Sequence, residues 1–257
     1  MTAILSPLLA IEGLEKRFGG VTATDSLSLD ILPGEIHAII GPNGAGKTTL
    51  IGQLSGEIAP DAGRIRFKGQ DITNLPTPDR ALMGLARSFQ ITSVLQGFTA
   101  LENVLLAVQA QDGHSFRFWK PALSEATLRD AAMAALEQVG LGGRADVPAA
   151  ALAHGEQRQL ELAMALAGKP ALLLLDEPMA GMGPEESARM TELLAGLKGS
   201  VTILLVEHDM DAVFRLADRI TVLVYGSAIA TGTPDAIRAD ESVRAAYLGS
   251  DSLGSDS

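Results

Sequence analysis

The sequence predicts an α/β fold around a largely parallel core sheet. Two observations carry that prediction. Short apolar runs, "IHAII", "ALLLL" and "VTILLV", alternate with segments of helical periodicity, the pattern of strands buried on both faces between crossover helices. A glycine-rich loop, "GPNGAGKT", separates one such run from a helix, a strand–loop–helix unit typical of that class.

Taken in order, "LLAIEGLEKRF" and "SLSLDI" alternate with period two and read as strands. "GEIHAII" is a buried strand, and "KTTLIGQLSG" a helix stopped by Gly56. "GRIRFKGQDI" reads as a hairpin, "PTPDRALMG" as a short helix with prolines at its start, and "LARSFQ" as a further strand. From Thr99 to Gly140 the pattern turns helical, with Ala-rich packing faces in "TALENVLLAVQAQ" and "LSEATLRDAAMAALEQVG". A loop with three aromatics, Phe116, Phe118 and Trp119, lies between these helices. Residues 91–168 thus read as a mainly helical insertion. The α/β pattern then resumes: strand "ALLLLD", helix "GPEESARMTELLAGL", strand "VTILLVEHD", helix "MDAVFRLAD", hairpin "RITVLVYGSAIATGTP" and short helices in "PDAIRADESVRAAYLG". Residues 250–257 read as a flexible polar tail.

A chain of 257 residues has room for one large domain or a domain with a sub-domain, and 47% hydrophobic residues exclude disorder for its bulk. The net charge of −11 speaks against free nucleic acid as a partner. The absence of cysteine rules out disulfides and thiolate metal sites. The N-terminus lacks the basic region of a signal peptide, and the apolar runs are far shorter than a membrane span. The expectation is a chain with no span of its own that can dock on a membrane protein.

The loop Gly41, Pro42, Asn43, Gly44, Ala45, Gly46, Lys47, Thr48, followed by Thr49, matches G-x-x-x-x-G-K-[ST] in full. Glycines let backbone N–H groups curl around a phosphate, and the helix N-terminus adds its positive end. Lys47 supplies a charge for β- and γ-phosphates, and the Thr48 hydroxyl suits Mg2+. Downstream, "LLLLDEP" ends an apolar strand in two carboxylates. Asp176 should emerge at the strand's C-terminal edge, placed to hold Mg2+ through water, and Glu177 is placed to polarise an attacking water. His208 follows the second strand, "VTILLVEHD", where an imidazole can reach the γ-phosphate region. His154 and Glu156, in "LAHGEQ", suggest either a catalytic pair or merely a helix start.

Together these residues resemble the ATPase subunits of ABC transporters over about residues 8–249. The elements occur in the family's order: "GPNGAGKT", a glutamine loop giving Gln90 after "LARSF", the signature segment "LAHGEQ", "LLLLDEP", and "VEHD" with its switch histidine. Phe18 in "EKRFGG" matches the position where the family stacks an aromatic on adenine. More narrowly, "KRFGGVTA", "RSFQITSVLQGFTALENV", "DEPMAGMGPEE" and "VEHDMDAVFRLADRITVL" resemble the subgroup serving branched-chain amino acid importers of bacteria. The resemblance implies a P-loop NTPase of the ABC ATPase type with an antiparallel β subdomain and a helical subdomain. It implies ATP and Mg2+, with Gln90 beside Thr48 and Asp176 at the metal and Gln90, Glu177 and His208 in catalysis. It further implies a second ATPase subunit, the same or a paralogous chain, two membrane-spanning permease subunits and a separate solute-binding protein, on the cytoplasmic face of the inner membrane.

In that arrangement Ala153, His154, Gly155 and Glu156 face the nucleotide held by the partner, backbone N–H groups binding and Gly155 permitting close approach, with no proton chemistry at His154 or Glu156. Two positions depart from the family. Ala153 stands where it usually has a serine, and Gly183 where an aspartate spans the dimer, which puts the coupling of the two sites in question. The alternative is a soluble ABC-type ATPase not coupled to a transporter. The aromatic loop 113–120 reads first as a local core and second as a contact with membrane subunits or headgroups.

Overall fold

The computed structural model describes residues 6–87, 94–111 and 126–248. Gln90 and the aromatic loop 113–120 therefore lie outside the described residues. In chain order the elements are β1 (Leu9–Phe18), β2 (Val21–Ile31), β3 (Ile36–Ile40), α1 (Lys47–Ser55), β4 (Ala62–Phe67), β5 (Gln70–Asp71), α2 (Thr77–Leu82) and β6 (Leu85–Arg87). Next come α3 (Ala100–Gln111), α4 (Ala126–Gln138), α5 (His154–Ala167), β7 (Leu172–Asp176), α6 (Pro184–Leu197), β8 (Thr202–Val206) and α7 (Met210–Leu216). The last are β9 (Arg219–Val224), β10 (Ser227–Gly232), α8 (Pro234–Ala239) and α9 (Glu241–Leu248).

The main sheet has six strands in the order β10-β9-β3-β8-β7-β6, parallel except for β10. A second, antiparallel sheet has the order β2-β1-β4-β5. β2 starts earlier than its sequence pattern suggests, at Val21, because Val21 and Thr22 pair with Phe18 and Arg17 of β1. Cross-strand pairing overrides the weak alternation of this polar stretch.

The apolar runs are explained by burial on both faces. Leu173 and Leu175 of β7, with Ile203 and Leu205 of β8, pack into a core shared with α3, α4, α5 and α6. Their alternate neighbours, Leu172, Leu174, Leu204 and Val206, pack with α1 and the antiparallel sheet on the other side. A strand so enclosed cannot alternate polar residues, so charge appears only where it leaves the sheet.

Strand order positions the site. β8 lies between β3 and β7, in parallel register with both. The C-terminal ends of β3, β8 and β7 therefore lie side by side, bringing together the glycine loop, "EHD" and "DE".

Candidate nucleotide site

The glycine loop leaves β3 at Gly41 and enters α1 at Lys47. Two of its glycines are dictated by neighbouring backbone. At Gly41 (φ 155) a Cβ would stand 2.1 Å from the Leu223 carbonyl oxygen, and at Gly46 (φ 100) 2.0 Å from that of Ala23. The loop is thus wedged against β9 and β2 before any ligand is considered. Lys47 is buried, and its Nζ donates to the carbonyls of Gly41 at 2.7 Å and Pro42 at 3.1 Å. Burial pushes its pKa down, while Glu177 and Asp176 pull it back up, so the ammonium faces the acidic strand end. A pocket of about 340 Å³ opens over Asn43 to Thr49, and Phe18, Glu177 and His208 also line it. Phe18, at the end of β1, is 50% exposed beside the phosphate loop, with the Lys16 ammonium 5.5 Å over its ring.

Asp176 ends β7 in full burial. Its Oδ2 lies 3.4 Å from the guanidinium of Arg87, which also pairs with Glu57. Burial pushes the Asp176 pKa up, against the pull of Arg87. Glu177 takes a left-handed conformation (φ 52), uncommon for a residue with a side chain, and its N–H donates to Val206 O at 2.8 Å. That turn aims its carboxylate at His208, with Oε1 2.6 Å from Nε2.

Two residues in this cluster escaped the sequence reading. Glu207 is buried, not solvating the strand end. It accepts from Met179 N at 3.0 Å and His208 N at 2.7 Å, and so ties the segment after Glu177 to the one carrying His208. Arg87 was invisible because its partners are 30 and 89 residues away. Its place inside "VEHD", next to His208, was the one available signal for Glu207.

The oxygens at hand fit Mg2+. The Thr48 hydroxyl and Asp176 carboxylate are hard donors, and among the described residues no cluster of three or more acidic, His or Cys side chains could hold a metal unaided. Mg2+ characteristically takes one or two protein oxygens and completes its shell with phosphates and water.

The signature residues lie elsewhere. Ala153 is the N-cap of α5. Glu156 turns back on its own helix, accepting from Ala153 N at 2.9 Å and pairing with Arg144 at 3.0 Å. Its carboxylate is thereby tied to the N-cap N–H and to Arg144 at the helix start, where the first backbone N–H groups have no intrahelical partner. His154 is exposed. At Gly155 a Cβ would stand 2.7 Å from Glu186 Oε1, the movable end of an α6 side chain of the same chain. Ala153, Gly155 and Glu156 line a second pocket, of about 440 Å³, that shares no residue with the first. Within one chain, the signature segment and the phosphate loop are not brought together.

A phosphate loop at a strand–helix junction, beside an acidic strand end in a parallel sheet, defines a nucleotide-binding protein of the P-loop class. The family described as "ABC transporter" matches residues 24–180, and that described as "Branched-chain amino acid ATP-binding cassette transporter" matches residues 229–252. The chain is 42% identical over 255 residues to the high-affinity branched-chain amino acid transport ATP-binding protein LivG of Escherichia coli (strain K12), covering 95% of this chain and 98% of that one. It is 40% identical over 250 residues to BraF of Pseudomonas aeruginosa, described in the same words, with 95% and 98% covered. A crystal structure of an ABC transporter's ATP-binding cassette in its ADP conformation superposes with a TM-score of 0.84 at 31% identity, covering 95% of this chain and 99% of that one. The chain belongs to the ABC transporter ATP-binding family, in its branched-chain amino acid branch. It is an ATPase subunit of a transporter, not a free-standing soluble ATPase.

Proposed function

We propose that this protein hydrolyses ATP to power a bacterial importer for branched-chain amino acids or a related small solute. The observation that carries the reading is the meeting, at one sheet edge, of the Lys47 loop, Asp176 and the Glu177–His208 pair. The names of LivG and BraF support the solute class.

Lys47 and the loop N–H groups hold the β- and γ-phosphates, and Phe18 stacks on adenine. Thr48 and Asp176, with Gln90, would hold Mg2+, which when bound neutralises charge on the phosphates. Glu177 orients a water and takes its proton as that water attacks the γ-phosphorus and the bond to the β–γ bridging oxygen breaks. His208 holds the Glu177 carboxylate in place. Two subunits, copies or paralogues, pair head to tail, so that Ala153, His154, Gly155 and Glu156 of one close on the nucleotide of the other. The separation of the two pockets within one chain supports that pairing.

Two permease subunits span the membrane, a separate solute-binding protein delivers cargo, and this chain sits peripherally on the cytoplasmic face. Among the described residues no helix is long and apolar enough to cross a membrane. Residues 1–249 form one ATPase domain, a reading supported by a core cluster that runs from α3 and α4 onto β7 and β8.

The test is release of phosphate from ATP by the purified chain with Mg2+, before and after Glu177→Gln. The variant should bind ATP and lose turnover; undiminished turnover would show that Glu177 is not the base. Uptake of labelled leucine by the assembly reconstituted with its membrane subunits tests the solute.

A further inference from the structure

A third, small pocket lies between α5, the end of β7 and α6, walled by Leu162, Met190 and Leu194. Two buried acids line it: Glu161 of α5, 7% exposed, and Asp176 of β7, 3% exposed. Each keeps one carboxylate oxygen, Glu161 Oε1 and Asp176 Oδ1, buried and without a hydrogen-bond partner among the described residues. The other oxygens are engaged. Arg158 donates to Glu161 Oε2 at 3.0 Å, and Arg87 stands 3.4 Å from Asp176 Oδ2. Burial pushes both carboxyl pKa values up, as expected of buried carboxylates short of donors.

Two carboxylate oxygens only accept, so neither satisfies the other. What suits both is a small molecule with two donor hydrogens. The pocket has about 10 Å³ open to a water molecule, close to the least that one water needs. We propose that it holds a single structural water donating to Glu161 Oε1 and Asp176 Oδ1, and that through this water Glu161 is a positioning residue for the Asp176 carboxylate. Glu161 lies seven residues along α5 from His154, on the same helix face as the first turn. A shift of α5 on engaging the partner's nucleotide is thereby passed to Asp176 of its own subunit. Such a link supplies a route between paired sites in a chain with Gly183 where the family's bridging aspartate would stand. The linkage rests on the proposed roles of Asp176 and the α5 N-terminus; the water does not.

High-resolution crystals of the full chain give the first test. One ordered water within about 2.6–3.2 Å of both oxygens is expected, and a dry pocket overturns the proposal. The second test is Mn2+ binding, followed by electron paramagnetic resonance with a non-hydrolysable ATP analogue. Glu161→Leu removes an acceptor and fills the pocket; Glu161→Gln keeps the shape and one acceptor oxygen. Glu161→Leu should weaken Mn2+ binding about tenfold, with Glu161→Gln close to the parent and metal-free nucleotide binding unchanged in both. Equal Mn2+ affinity in the parent and both variants overturns the positioning role. Asp176→Asn, measured alongside, separates the failures: if it also binds Mn2+ like the parent, the assignment of Asp176 falls and the positioning role with it.

Discussion

Replacing Arg80 with methionine should be among the most destabilising single changes outside the nucleotide pocket. The side chain, 2% exposed on α2, spends its guanidinium on four carbonyls: Gln53 at 2.7 Å, Leu54 at 2.7 Å, Leu75 at 2.8 Å and Thr73 at 3.0 Å. The first two are last-turn carbonyls of α1, where a helix leaves acceptors unpaired and favours a cation. Gln53 O also receives the Gly56 N–H, so methionine strands chiefly the other three. At about 1–3 kcal/mol for each buried acceptor, less the desolvation cost the guanidinium no longer bears, the net loss is about 3–5 kcal/mol. For a chain of this size that lowers the melting midpoint by roughly 6–20 °C. Arg80→Lys keeps a charge but not the fork, and should fall between variant and parent. Thermal melts and urea titrations with unchanged m-value measure the effect. ATP affinity well below the midpoint should stay within about threefold, since Lys47 and Thr48 sit at the opposite end of α1. A shift under about 2 °C for Arg80→Met, or a lysine variant no better than methionine, would refute the capping argument.

Gly155→Asp should abolish turnover while the isolated chain binds ATP almost normally by calorimetry; loss of that binding would place the signature segment in the chain's own site. Gly155→Ala should cost less than about 1 kcal/mol, because the end of Glu186 can swing aside. Ala153→Ser should raise the midpoint by about 2–4 °C, since α5 has no side-chain N-cap and serine supplies one worth about 1 kcal/mol. Its turnover should change less than about tenfold. His37 is fully buried, with Nδ1 3.1 Å from Glu35 and Nε2 2.8 Å from Thr221. Burial lowers its pKa, with Glu35 pulling up and Arg219 adding to the lowering. Below the ordinary value of 6.5 the unfolded chain therefore binds a proton that the folded one refuses. Stability is retained above that value and lost as pH falls through the lowered pKa. Unfolding midpoints from pH 7 to 5 should decline, and decline less in His37→Asn; parallel slopes would refute the assignment.

Much of the fold was legible because the signals are local. Runs such as "LLLLD" require enclosure on both faces, Gly56 stops a helix, and Pro184 starts one. The phosphate loop was legible for the same reason, its chemistry being packed into eight consecutive residues. Glu207 and Arg87 were not, since an acid or arginine at a strand end reads as solvated until the elements that bury it are known. The nearness of Gly155 to Glu186 was not legible either, because that contact is made only when α5 packs on α6.

The sequence by itself indicated the class of chemistry: a loop whose full motif suits a phosphate, followed in order by acids and a histidine at the ends of apolar strands. Tertiary structure decided which of them meet. Strand order sets β8 between β3 and β7, so Lys47, Glu177 and His208 share one pocket, while α5 carries Ala153 and Gly155 to another. Local pattern specifies what each segment forms and which face it buries. Adjacency of segments far apart in the chain depends on how those faces pack, and no local pattern records it.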